Sequence, residues 1–193
     1  MAITLKTPAD IEKLRISGRM VAEILAMIAE HVRLGVTTDE LDAICNRFIV
    51  NELKAIPANV GYMGFPKTVC TSVNHVVCHG IPGPKALKDG DIINIDVAII
   101  KDGYYGDTSR MYYAGTPSPE AQRLCATTYE AMVAGIREVR PGARSAISAR
   151  RFSRSRIAKA FRSCASIADA ASAACITKIR KCCTTDSAAR VCV

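Results

Sequence analysis

The chain has 193 residues, 49% of them hydrophobic, and a formal net charge of +8. That length suffices for one domain with a sizeable core, and no apolar run is long enough to cross a membrane as a helix. Met1-Ala2-Ile3-Thr4-Leu5-Lys6 lacks the basic region, apolar core and cleavage site of a signal peptide, so a cytoplasmic chain with its nine cysteines mostly reduced is expected. Those cysteines show no zinc spacing: Cys182 and Cys183 are adjacent, and no Cys-x-x-Cys occurs.

Thr7-Pro8-Ala9-Asp10 reads as a helix start, with Thr7 as cap, Pro8 in the first turn and Asp10 near the positive end of the dipole. Ile11, Leu14, Val21, Ile24, Leu25, Ile28 and Val32 recur at helical spacing and predict one long amphipathic helix to about Arg33, stopped by Gly35. Thr37-Thr38-Asp39-Glu40 is a capping box for a second helix carrying Leu41, Ile44, Phe48 and Ile49. Residues 56–66 read as a loop, and Thr68 to Val77 alternate as a strand. After a hairpin, Ser118-Pro119-Glu120 caps a third helix expected to reach about Arg140.

The hairpin carries the most information. An apolar run, Asp91 to Ile100, precedes an aromatic one, Tyr104 to Thr108, and Asp102-Gly103 between them is a two-residue turn signal. With that turn Ile100 faces Tyr105 and Asp96 faces Ser109. Side chains alternate along a strand, so Asp107 shares the face of Asp96 and lies on the diagonal. Two carboxylates so placed repel unless a cation lies between them, and two divalent metals about 3.5–4 Å apart would use them as ligands. The competing reading is that either Asp is a solvated strand residue.

The order of elements starts twice. His31-Val32-Arg33-Leu34-Gly35 ends the first helix, and Glu138-Val139-Arg140-Pro141-Gly142 ends the third. A Gly after a basic helix end is ordinary capping, but the matching placement suggests a duplicated α/β unit whose second copy does not finish.

Residues 144–193 differ in kind. They hold twelve Ala, eight Ser and eight Arg, and no Leu, Gly, Pro, Glu or Met. Eight Arg and three Lys against Asp169 and Asp186 give +9, leaving −1 for residues 1–143. Such a stretch reads either as a basic nucleic-acid-binding tail or as an unstructured extension.

Residues 1–143 closely resemble the bacterial type I methionine aminopeptidases. The resemblance rests on Lys6-Thr7-Pro8, Gly61-Tyr62-Met63-Gly64-Phe65-Pro66, Val77-Cys78-His79-Gly80-Ile81-Pro82, Asp89-Gly90-Asp91-Ile92-Ile93-Asn94-Ile95-Asp96 and Gly106-Asp107-Thr108, in order. It implies an α/β (α+β) chain forming the N-terminal half of a pita-bread fold, an antiparallel sheet with covering helices, the second half missing. An apolar sheet face and an unpaired edge are expected where that half belongs. It implies removal of the N-terminal methionine from nascent peptides, hence proximity to the ribosome, by metal-assisted hydrolysis. Five ligands (two Asp, one His and two Glu) would hold two divalent ions, with Co, Mn, Fe, Zn and Ni not distinguishable. Asp96 and Asp107 match the two Asp. His79 matches the catalytic histidine that contacts substrate, and Tyr62, Phe65 and Cys70 match a soft apolar pocket suited to a thioether. His75 and His31 match no site position.

The resemblance places the remaining ligands in the family's second half, in a Cys-Gly-His-Gly-Ile-Gly segment, a nearby His-Glu-x-Pro and two Glu further on, which this chain lacks: no His follows His79, and the last Glu is Glu138. The tail explains their loss. Reading Ser163–Thr185 with each preceding wobble base plus the first two bases of each codon, one consistent codon choice gives VVREYCGRGIGRVYHEDPQVLHY. That is the family's own next segment, spaced correctly, except that Asp169-Ala170 permits Arg or Cys where the family has its metal-binding His. Residues 144–193 are therefore expected to be out-of-frame sequence, poorly ordered and without core contacts. The resulting chain is expected to be catalytically incomplete, holding at most one ion weakly. A basic-tailed nucleic-acid-binding protein is the alternative, weakened because Phe152 and Phe161 are the tail's only aromatics.

Overall fold

The structure, a computed structural model, describes residues 5–142. The basic tail, with the expectation that it lacks packing, lies outside them. The described residues fall into two compact units, one holding residues 5–117 and the other residues 118–142.

In the first unit, α1 spans Pro8–Ala29 and α2 spans Thr38–Arg47. Both begin as their sequences predict. Asp10 Oδ2 accepts from the Thr7 amide and hydroxyl, Glu40 Oε2 does the same for Thr37, and each threonine hydroxyl accepts the third helical amide in return. The α1 boundary differs from expectation. After Ala29 the chain tightens, with His31 N donating to Ile28 O and Val32 N to Ala29 O, so regular helix stops short of Arg33. Val32 still packs on the core, which is why its periodicity continues past the helix. Beyond Arg47 a single π-helical turn, Phe48–Glu52, keeps Ile49 in the core.

Four antiparallel strands follow: β1 (Ile56–Pro57), β2 (Val69–Val73), β3 (Asp91–Lys101) and β4 (Tyr104–Ala114). Strand β3 is central. It pairs with β4 on one side and with β1 and then β2 on the other. The expected strand to Val77 ends at Val73, because Asn74 turns the chain at φ 54 and its side chain bridges to Asp91 and Ile92 N. Within residues 56–66, expected to be loop, lie β1 and a 3-10 turn at Tyr62–Gly64. The tip of β3–β4 is Asp102-Gly103 at φ 51 and 83, both left-handed as a type I′ turn demands.

One face of the sheet builds the core. Val69, Val73, Ile93, Ile95, Val97, Ile99 and Tyr112 pack with Val21, Ile24, Leu25 and Ile28 of α1 and with Leu41 and Cys45 of α2. Each fully buried Ile is worth about 1.5–3 kcal/mol relative to exposure. Gly106 permits the close approach of α1 to β4: a Cβ there would lie 2.4 Å from Ser17 O. The Tyr112 hydroxyl donates to Leu25 O from the same face.

The second unit contains α3, Pro119–Ile136, capped by Ser118. Its buried residues are Thr127, Ala131 and Gly135, four apart along one stripe. Helix ends here rather than near Arg140, where Glu138 N and Val139 N make tightened i to i−3 bonds instead. No helix among the described residues is long and apolar enough to cross a membrane.

Candidate functional site

Register assembles the site on the sheet face opposite the core. Asp96 pairs with Ser109 across β4 and with Cys70 across β2, and Asp107 pairs with Ala98. Partners across an antiparallel pair share a face, as do residues two apart in one strand. Cys70, Asp96, Ala98, Asp107 and Ser109 therefore stand on one face. Asp96 and Asp107 are diagonal neighbours, which stand about 7–8 Å apart with their Cβ atoms somewhat closer. Asp96 is half-buried and Asp107 exposed. The opposite parity, Ile95, Val97 and Ile99, is fully buried in the core.

Asn94 Nδ2 donates to Ser109 Oγ at 3.3 Å and contacts Met111 Sδ at 3.5 Å, so the row beside the carboxylates is polar with one thioether. Among the described residues β4 pairs only with β3.

The proposed pocket residues arise from two elements. Cys70 is 7% exposed on β2, directly opposite Asp96. Tyr62 and Phe65 lie in the preceding loop, closed by Phe65 N donating to Tyr62 O at 3.0 Å and Gly61 N to Phe65 O at 2.8 Å. Tyr62 is 56% and Met63 84% exposed, while Phe65 is half-buried. Loop and strand are joined at Thr68. Asn59 Nδ2 donates to its carbonyl at 3.1 Å, and Asn46 Nδ2 to its hydroxyl at 2.8 Å. Asp42 Oδ1 accepts both Thr68 N and Val69 N, at 2.8 and 2.9 Å. Burial pushes the Asp42 carboxyl above its ordinary range, and the two amides oppose that shift.

His79 sits outside the strands at φ 55, a left-handed backbone unusual for a residue with a Cβ. Its neighbour Gly80 is laid against β2: Thr71 N donates to Gly80 O at 2.8 Å, and Gly80 N donates to Ser72 Oγ at 3.2 Å. Gly80 lies within the Val77–Pro82 motif. Its signal is steric, since a Cβ there would lie 2.1 Å from Thr71 O. Ser72, Asn59, Thr68 and Asp42 carry no motif and emerge only from the folded register.

Two carboxylates supply hard oxygen donors of the type a divalent ion takes. A closed protein site needs more, and no group of three or more His, Cys, Asp or Glu side chains able to hold a metal occurs among the described residues. The donors present therefore do not by themselves make a complete metal centre.

A sequence profile for metallopeptidase family M24 matches residues 12–157. The chain is 57% identical over 143 residues to the methionine aminopeptidase of Escherichia coli strain K12, covering 74% of this chain and 54% of that protein. It is 54% identical over 144 residues to that of Rickettsia prowazekii strain Madrid E, covering 75% of this chain and 55% of that protein. A crystal structure of a Rickettsia prowazekii methionine aminopeptidase superposes with a TM-score of 0.80 at 48% identity, over 82% of this chain and 63% of that one. The chain thus spans about half the length of the curated relatives it matches.

Proposed function

Because the chain belongs to metallopeptidase family M24, we propose that it carries the methionine-recognising half of an enzyme that removes N-terminal methionine from nascent peptides in the cytoplasm, near the ribosome. Asp96 and Asp107 contribute two of the donors of a two-ion divalent centre, and as a 193-residue chain they hold at most one ion weakly. Tyr62, Phe65 and Cys70 receive the thioether side chain, and His79 contacts the peptide. The observation that carries this reading is register: Cys70 and Asp96 are cross-strand partners, with Asp107 on the same face. A methionine seated against the Cys70 sulfur would bring the adjoining peptide bond towards the carboxylate pair.

Residues 144–193 are assigned to out-of-frame sequence. Their composition supports this, as does the length of the aligned stretch, 143 residues in the Escherichia coli comparison, although the family profile runs on to residue 157. The chain then lacks the His, the general-base Glu and the second Glu of the family's site, and it does not turn over.

Two measurements test this. Mn²⁺ titration followed by electron paramagnetic resonance should show weak binding that Asp96→Asn and Asp107→Asn each abolish. Incubation with Met-Ala-Ser and Co²⁺, Mn²⁺, Fe²⁺ or Zn²⁺ should release no methionine. Robust, Asp96-dependent release from the 193-residue chain would overturn the proposed loss of activity, and Mn²⁺ binding indifferent to both Asp variants would overturn the metal assignment.

A further inference from the structure

We propose that Ser72 is a positioning residue for His79, acting through the Gly80 amide. The inference rests on the reading that His79 contacts an N-terminal methionine peptide. A backbone at φ 55 persists in a residue with a Cβ only when its surroundings over-determine it. The structure supplies that restraint on the C-terminal side of His79. Gly80 is bonded at both its backbone groups, carbonyl to Thr71 N and amide to Ser72 Oγ. Its missing side chain lets the segment lie against Thr71 more closely than any other residue could.

Of the two bonds, the one through Ser72 reaches the functional face. Ser72 pairs with Asn94 and stands two residues from Cys70, so its side chain shares the face of Cys70 and Asp96. It is 5% exposed. A hydroxyl on one rotatable bond is short enough to fix the amide it accepts from. Thr71 N anchors the following peptide, between Gly80 and Ile81, whereas Ser72 Oγ holds the one between His79 and Gly80; without it that peptide can rotate and His79 loses this restraint on its left-handed conformation. Ser72 touches no reacting atom; it sets where the imidazole can go.

The test uses the full chain, isotopically labelled, with Met-Ala-Ser as the probe. In Ser72→Ala the Gly80 amide should exchange with solvent about tenfold faster. The His79 Cα and Cβ shifts should move from left-handed towards extended values, and half-saturation by the peptide should need several-fold more of it. Ser72→Thr, which keeps the hydroxyl, should return all three towards the values of the unmodified chain. If Ser72→Ala does not fold, Ser72→Cys, a weaker acceptor of similar size, carries the same comparison. Unchanged Gly80 exchange and His79 shifts would overturn the proposal. So would a loosened loop with unchanged peptide binding, since Ser72 would then be structural only. A peptide that perturbs no variant, while exchange and shifts respond as expected, would sink the methionine-recognition reading and leave the restraint on His79 standing.

Discussion

The Tyr104 hydroxyl donates a 2.6 Å hydrogen bond to Asp10 Oδ1, tying the first turn of α1 to the tip of the β3–β4 hairpin. The other oxygen of Asp10 caps Thr7. Lys13 Nζ lies 5.1 Å from the Tyr104 ring centre, and Ser17 Oγ donates to Tyr104 O at 3.0 Å. Helix start and strand start are thus one cluster, 94 residues apart in sequence, and the strand it anchors is the one that bears Asp107.

The cluster has a pH signature. The Tyr104 hydroxyl, with Thr7, holds the Asp10 carboxyl down from 3.8 to about 2. A depressed acid stabilises the fold above its unfolded value, and that contribution is lost as pH falls from 3.8 through about 2. Tyr104→Phe should therefore lower Tm at neutral pH and lose less of it across that interval. Thermal melts of both chains at several acid pH values check this; parallel Tm curves would exclude the linkage.

Asp42 offers a comparison of two substitutions. Asp42→Ala leaves the Thr68 and Val69 amides without their acceptor, at about 1–3 kcal/mol for each group left buried and unpaired. Asp42→Asn keeps a carbonyl oxygen in place and removes a carboxylate whose charged form burial disfavours. Urea denaturation should rank Ala well below Asn, with Asn close to the unmodified chain. Equal losses in the two would mean that the charge, rather than the acceptor oxygen, matters at this position.

Gly106→Ala tests the seam between α1 and β4. The added methyl would sit 2.4 Å from Ser17 O, a backbone atom that cannot rotate away. A loss of about 1–3 kcal/mol is expected from overpacking, with Mn²⁺ affinity falling as well because the neighbouring Asp107 moves with the strand. Unfolding in urea and Mn²⁺ titration of the same sample measure both. Full stability would show that the helix can shift to accommodate the methyl.

Restoring the reading frame from about codon 144 should return the segment containing His-Glu-x-Pro and the distal Glu residues, and with them methionine release. The restored segment reads Cys-Gly-Arg-Gly-Ile-Gly or its Cys equivalent, so recovery should be partial. Changing that Arg or Cys to His should raise the rate further, because a ligand position then regains a donor. Assays of Met-Ala-Ser cleavage on the three chains give the ranking; no activity in the doubly corrected chain would refute the out-of-frame assignment.

How much was legible depended on the distance over which each feature is determined. The pairs Ile100–Tyr105 and Asp96–Ser109 follow from Asp102-Gly103, since a two-residue turn leaves one register available. The capping boxes at Thr7 and Thr37 are equally local. The end of β2 is not legible because the β-branched Val76-Val77 prolongs the strand-like composition, whereas Asn74 spends its side chain on Asp91 and Ile92 N. Strand β1 could not be seen: two residues, Ile56 and Pro57, are strand only because Ile99 and Ile100 lie beside them. The same holds for the site. Asp96 and Asp107 share a hairpin and were placed from it. That Cys70 stands opposite Asp96 depends on a pairing of strands 26 residues apart, which no local rule supplies.

Strand β3 also separates two kinds of evolutionary constraint by the parity of its numbering. Odd positions from 93 to 99 meet only neighbours of the interior and are constrained by volume, whereas 94 and 96 answer to whatever approaches from the other side. Because adjacent residues never share a surface, the two sets can drift independently over generations. A lineage released from the chemistry would then lose its even-numbered identities first, long before its ability to fold.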